Sequence, residues 1–83
     1  MRLDKFLKVS RLIKRRTVAN DVSEQGRILI NGNPSKPAKQ VKVGDEITVL
    51  FGNGELVVRI TKVPDGNVSV QQASELYEII KQP

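Results

Sequence analysis

RLDKFLKVSRLIKRRT, residues 2–17, carries the charge and the apolar spacing from which the rest of the chain is read. Residues 1–16 hold seven basic side chains (Arg2, Lys5, Lys8, Arg11, Lys14, Arg15 and Arg16) against Asp4 alone. Residues 17–83 hold the other seven basic groups against eight acidic ones, so the whole excess of +5 sits in the first fifth of the chain. Within the quoted stretch, Leu3, Phe6, Leu7 and Ser10 fall on one face at i, i+3, i+4 and i+7, which predicts a helix over 2–9. Arg2, Lys5 and Lys8 share the opposite side, with Asp4 and Arg11 close by. Asp4 lies in the first turn, where a carboxylate complements the helix dipole. A lone triplet of this kind describes a solvated face. The charge density that follows is what makes it a candidate surface.

Residues 10–16, SRLIKRR, break the amphipathic pattern and add four basic groups in seven positions. Leu12 and Ile13 are expected to tuck under a second helix over 17–25. There Val18, Ala19 and Val22 make the buried stripe, Asp21 and Glu24 the wet side, and Gly26 a left-handed stop. Thr17 is placed to cap that helix. A helix start flanked by Lys14, Arg15 and Arg16 suits an anion, because free backbone N–H groups and guanidinium forks both serve phosphate.

Beyond the second helix the period changes. RILI, residues 27–30, reads as a strand closed by Asn31-Gly32, a strong hairpin signal. Asn33 to Lys39 is expected to return irregularly, since Pro34 and Pro37 oppose ladder pairing. Lys36, Lys39 and Lys42 add positive charge to that arm. Strands over 46–51 and 55–62 follow, one alternating Ile47, Val49 and Phe51, the other Leu56, Val58 and Ile60, with Gly52-Asn53-Gly54 as their turn. Pro64-Asp65-Gly66-Asn67 ends the second of them. In the tail, Ala73, Leu76, Tyr77 and Ile80 have helical spacing, which predicts a short helix from Gln71 to Lys81. The order gives an α+β fold: two N-terminal helices packed on a small antiparallel sheet, with a short C-terminal helix.

Eighty-three residues set limits on function. A chain this short buries only about 60% of the surface its unfolded form exposes, which leaves little room for a deep catalytic cavity beside a core. It contains no Cys and no His, so disulfides, thiolate metal sites and the commonest general base are excluded. No cofactor is expected. No apolar run has signal-peptide or membrane-spanning character, so a soluble cytoplasmic protein is expected. A pI near 9.9 points to a polyanionic partner.

Taken together, Arg2-Leu3-Asp4-Lys5-Phe6-Leu7, the Arg16 to Ala19 entry to helix two, Gly26-Arg27-Ile28-Leu29-Ile30-Asn31-Gly32, Lys36-Pro37, Val43 and Gly44-Asp45-Glu46-Ile47 form an ordered set of spaced elements. Residues 2–50 resemble the RNA-binding domain named after ribosomal small-subunit protein four, the alpha-L fold. The stand-alone chain is similar to the RqcP (YabO) family, itself related to the fifteen-kilodalton heat-shock protein. The resemblance implies one RNA-binding domain over 1–83, with its core motif at 2–50 and a C-terminal extension at 51–83. It implies a non-catalytic factor of bacterial ribosome-associated quality control. Its expected partners are the rRNA of the large ribosomal subunit, the peptidyl-tRNA of stalled, split ribosomes, and the NEMF-type alanine-tailing factor RqcH. A monomer is expected. By position, Arg2, Asp4 and Arg16 fall on the family's most characteristic contact segment. Lys5, Lys8, Arg11, Lys14, Arg15, Lys36 and Lys39 complete the candidate RNA-binding set. Related sequences commonly carry Ser or Thr where this chain has Arg15, so a different cap or a direct phosphate contact is expected there.

The physics agrees with RNA as partner. Proteins recognise RNA helices by shape, 2′-hydroxyls and phosphates. A rigid platform of cations suits that, and the only aromatics, Phe6, Phe51 and Tyr77, are too few for a stacking surface. Phe6 is expected in the core and Tyr77 as a packing residue of the tail helix. Asp4, among Arg2, Lys5 and Lys8, is expected either to hold those side chains or to accept a ribose hydroxyl. Three alternatives compete. An enzyme would need an acid–base pair, but Asp45-Glu46 reads as a turn. A membrane-surface helix over 2–13 would need the apolar face that the small core uses. Rescue of large subunits carrying peptidyl-tRNA, without tailing, differs only in the downstream partner.

Overall fold

The computed structural model describes residues 1–83, and its elements follow the order read from the sequence with one substantive change in the tail. Helix α1 spans Leu3–Val9 and helix α2 Arg16–Glu24. Strands β1 (Ile28–Ile30), β2 (Asn33–Pro34), β3 (Glu46–Phe51) and β4 (Gly54–Ile60) follow, then a one-turn helix α3 (Val70–Ala73). A 3-10 turn at Ser74–Leu76 leads into β5 (Tyr77–Lys81). The five strands form one antiparallel sheet in the order β2-β1-β3-β4-β5.

The pleat decides which side chains meet the helices. Ile30, Ile47 and Val58 are cross-strand neighbours, as are Ile28, Val49 and Leu56. Their shared face packs against Leu3, Phe6, Leu7 and Val9 of α1 and Ala19 of α2 in a core cluster of 13 residues. Ala19 has no exposed surface. With only a methyl group there, the two helices approach closely. Ser23 takes the buried position below it by donating its hydroxyl to the Ala19 carbonyl at 2.8 Å. Val18, expected on the stripe, is 42% exposed instead.

The turn after β1 rests on left-handed backbone. Asn31 (φ 52°) and Gly32 (φ 85°) close the β1–β2 hairpin. The Asn31 amide donates to Asp45 Oδ1 at 3.1 Å and its carbonyl oxygen accepts the Glu46 N–H at 3.0 Å. The Lys42 N–H donates to Asp45 Oδ2 at 3.0 Å, so the buried Asp45 is a turn residue, as its sequence context implied.

Four expectations change. Pro34 does pair, opposite Leu29, but for two residues only and on the sheet edge, where a missing N–H faces outward. Helix α2 begins at Arg16, one residue early, so Thr17 lies inside it and Arg15 occupies the cap position with no side-chain cap. Phe51 sits at the β3–β4 hairpin, 46% exposed, beyond the reach of the helices. The tail is helical only to Leu76, after which Tyr77–Lys81 forms the fifth strand. Tyr77, Ile79 and Ile80 favour strand, and the open edge of β4 supplies the ladder, with a register shift at Val57/Val58. Ala73 and Leu76 are buried as the helical spacing required, whereas Ile80 is exposed and Tyr77 packs from β5.

Candidate nucleic-acid interface

The two helices begin in different ways. At α1, every first-turn N–H has an acceptor. Leu3 donates to the Lys39 carbonyl at 2.8 Å and Asp4 to the Pro37 carbonyl at 3.1 Å. Lys5 donates to Asp4 Oδ1 at 2.8 Å. Residues 37–40 therefore close that helix end, and an Arg2–Gln40 bridge holds the Arg2 backbone beside them. At α2, Arg15 is extended (φ −116°, ψ 128°) and offers no cap, which leaves the first-turn donors open among Lys14, Arg15 and Arg16.

Asp4 links the two starts. The residue is 2% exposed, yet it carries a charge, so each oxygen must be satisfied by the protein. Arg2 supplies Nε to Oδ1 and Nη2 to Oδ2, both at 3.2 Å, in a two-pronged grip. Arg16 Nη2 reaches Oδ1 at 3.5 Å, and Asn20 Nδ2 reaches Oδ2 at 3.4 Å. Burial alone pushes the Asp4 carboxyl pKa up. The hydrogen bonds from Arg2, Asn20 and the Lys5 N–H, with the charge of Arg16, outweigh that and hold it below its ordinary value.

This geometry corrects the expected role of Asp4. It does hold a neighbouring side chain, but the partners are Arg2 and Arg16 rather than Lys5 and Lys8. With both oxygens committed inward, it has no face left for a ribose hydroxyl. The two guanidinium groups remain about half exposed. Of five N–H donors each, Arg2 spends two on Asp4 and Arg16 one, so both present free donors, Arg2 oriented by its two-pronged grip and Arg16 held close by a single longer contact. Asn20 was missed in the sequence, although its i, i+4 spacing from Arg16 on α2 is the signal that places both on one helix side.

The other candidates divide. Lys5, Lys8, Arg11, Lys14, Arg15 and Lys39 have no acidic partner within 4.0 Å, while Lys36 pairs with Glu24 at 3.4 Å on an exposed surface. Lys8 and Arg11 line a shallow depression with Asn67 and Val68. Lys39 accepts the Leu3 N–H at the start of α1 through its carbonyl, and the residue also lines a groove with Lys42 and Asn31. Arg11 has φ 63°, the left-handed position that follows the end of α1 and that Gly fills at lowest energy.

These contacts generate two expectations. Asp4→Asn lowers stability by about 1–3 kcal/mol at neutral pH, the range for disrupting a buried charged hydrogen-bond group. Because the folded pKa is depressed, that contribution is present above the unfolded carboxylate pKa and is lost as pH falls through the folded one. The stability gap between wild type and variant, measured by urea titration, therefore narrows below about pH 4. Arg11→Gly relieves the left-handed backbone and stabilises by about 1 kcal/mol, yet it weakens RNA binding in a filter or anisotropy assay. A variant that loses stability, or binds equally well, contradicts a functional role for this side chain.

Comparison with known proteins places the site in a wider group. The S4 domain model matches residues 1–47. A protein named RQC P-site tRNA stabilizing factor from Bacillus subtilis is 52% identical over 99% of this chain and 94% of its own length. The protein of the same name from Halalkalibacterium halodurans is 56% identical over 99% of this chain and 92% of its own. Among solved structures, the trimeric structure of heat shock protein 15 from Vibrio cholerae is similar with a TM-score of 0.86 and 35% identity. It covers 95% of this chain and 80% of that one. With an S4 match across α1, α2 and the first hairpin, and near full-length relatives at about half identity, the chain belongs to the S4-domain family, alongside the RQC P-site tRNA stabilizing factors.

Proposed function

We propose that this chain is a non-catalytic RNA-binding factor of bacterial ribosome-associated quality control. It binds rRNA of the large ribosomal subunit together with the peptidyl-tRNA of stalled, split ribosomes. In doing so it holds that tRNA while a NEMF-type partner, RqcH, extends the nascent chain with C-terminal alanine. The observation that carries this is the buried Asp4, which fixes Arg2 and Arg16 side by side at the mouth of an uncapped helix. Phosphate is the ligand such donors fit. The names of the relatives support tRNA as one bound RNA.

Residues 1–83 act as one unit in this scheme, with 51–83 completing the sheet on which the motif at 2–50 rests. The protein works as a cytoplasmic, ribosome-associated monomer, one copy beside one tRNA. No helix is long and apolar enough to cross a membrane. A non-catalytic role suits a surface whose buried carboxylate, Asp4, has both oxygens taken up by hydrogen bonds from the protein and so offers no free position to a substrate proton. A second scheme, rescue of large subunits carrying peptidyl-tRNA without tailing, is favoured by the structural likeness to heat shock protein 15. It differs in whether alanine tails are lost when the gene is deleted.

Sedimentation with purified large subunits bearing peptidyl-tRNA tests RNA binding itself. With about six phosphates neutralised, affinity falls roughly a thousandfold between about 50 and 200 mM salt. Arg16→Ala lowers the thermal midpoint, because Asp4 loses one of its partners, but at a temperature where the variant is confirmed folded it still moves to the top of the gradient. A flat salt response, or an Arg16→Ala protein that sediments normally, overturns the phosphate-based scheme.

A further inference from the structure

Arg16, Thr17, Asn20 and Asp21 line an open cleft of about 320 Å³ with Asp4 as its deepest member, and none of its lining is hydrophobic. Its chemistry is not that of a phosphate site. Only Arg16 is cationic, and opposite it stand groups that accept hydrogen bonds. Asp4 is ionised and can only accept, so the Asn20 amide must turn its nitrogen towards Asp4, as the 3.4 Å contact shows. The amide carbonyl oxygen then points away from Asp4, and it accepts no hydrogen bond within the chain. Asp21 is exposed and has no cation within 4.0 Å. An unpaired carboxylate beside Arg16 repels phosphate, so a surface built only for phosphate is better without it. The Thr17 hydroxyl, also exposed, completes the lining as donor or acceptor.

We propose that this cleft takes a ribose of the bound RNA, whose 2′-hydroxyl donates to Asn20 Oδ1 with Asp21 as the adjoining acceptor, while Arg16 holds the neighbouring phosphate. Asn20 is thereby a specificity-determining residue that separates ribose from sugars lacking a hydrogen-bond donor at the 2′ position. This inference rests on RNA being the partner, as proposed above, and adds which part of the nucleotide the cleft reads. It also assigns a task to Asp4 beyond its grip on the guanidinium groups: the carboxylate sets which end of the Asn20 amide faces the ligand.

Binding of two synthetic tRNAs of one sequence tests it, one with hydroxyl and the other with fluorine at every 2′ position. Fluorine keeps the sugar pucker of an RNA helix but cannot donate. Wild type binds the hydroxyl form at least about fivefold more tightly, the worth of one or more hydrogen bonds. Asn20→Ala brings that ratio below about twofold, because beyond any loss shared by both forms through its contact with Asp4 the hydroxyl form alone loses a hydrogen bond. Asp21→Ala, an exposed change with no partner to lose, narrows the ratio and decides the matter if Asn20→Ala unfolds. Arg16→Ala weakens both forms and leaves the ratio standing. A wild-type ratio near one, or a ratio unmoved by both cleft variants, overturns the ribose site while leaving RNA binding intact. Failure of wild type to bind either tRNA overturns RNA binding and the ribose site together.

Discussion

A charged carboxylate with 2% exposure, in a protein of 83 residues, is the constraint around which the rest of the molecule is arranged. An unpaired buried charge is among the most expensive features a small fold can carry, so Asp4 must be met by donors on every side. Arg2 lies before α1, the Lys5 N–H within it, and Arg16 and Asn20 on α2. Satisfying one side chain therefore fixes the entry to the first helix and its pairing with the second. The same contacts immobilise two guanidinium groups that in open solvent would sample many rotamers.

The scaffold makes that arrangement affordable in a short chain. Ala19 lets α2 approach α1, and the isoleucine and valine rows of β1, β3 and β4 support both helices from below. Carbonyls of Pro37 and Lys39 take the first N–H groups of α1, so that end is closed and α2 alone offers free donors. Ion pairs elsewhere are of a different kind. Arg59 spans to Glu46 at 3.1 Å and Glu78 at 2.7 Å, and those hydrogen bonds raise its pKa. Lys81 meets Glu55 at 3.1 Å. All are well exposed, where such pairs contribute little. The uncompensated charge stays on the segment that begins the chain.

Much of this was legible in the sequence, and the exceptions have physical causes. The apolar spacing of Leu3, Phe6 and Leu7, the Asn31-Gly32 turn and the alternation along β3 and β4 placed most elements within a residue or two. The tail misled because Ala73, Leu76, Tyr77 and Ile80 fit a helix as well as they fit a turn followed by a strand. Only the vacant edge of β4, a tertiary feature, favours the strand at Tyr77–Lys81. Charge and placement mark Arg2 and Arg16 as part of a basic segment, and the resemblance singles them out within it together with Asp4. Nothing in one dimension says that residues 4, 16 and 20 meet. For the same reason Asn20 is overlooked, and Asp4 is given Lys5 and Lys8 as neighbours in place of Arg16.

If Asp4 acts by presenting Arg2 and Arg16, then removing the carboxylate and removing an arginine must not be independent. A double-mutant cycle on RNA affinity with Asp4→Asn and Arg16→Ala measures this directly, provided each protein is confirmed folded at the assay temperature. Preorganisation predicts that Asp4→Asn weakens binding in the wild-type background but does much less once Arg16 is gone, with a coupling of about 0.5–3 kcal/mol. Losses that simply add would show that the carboxylate and the guanidinium act separately, and would contradict a surface built on their contact.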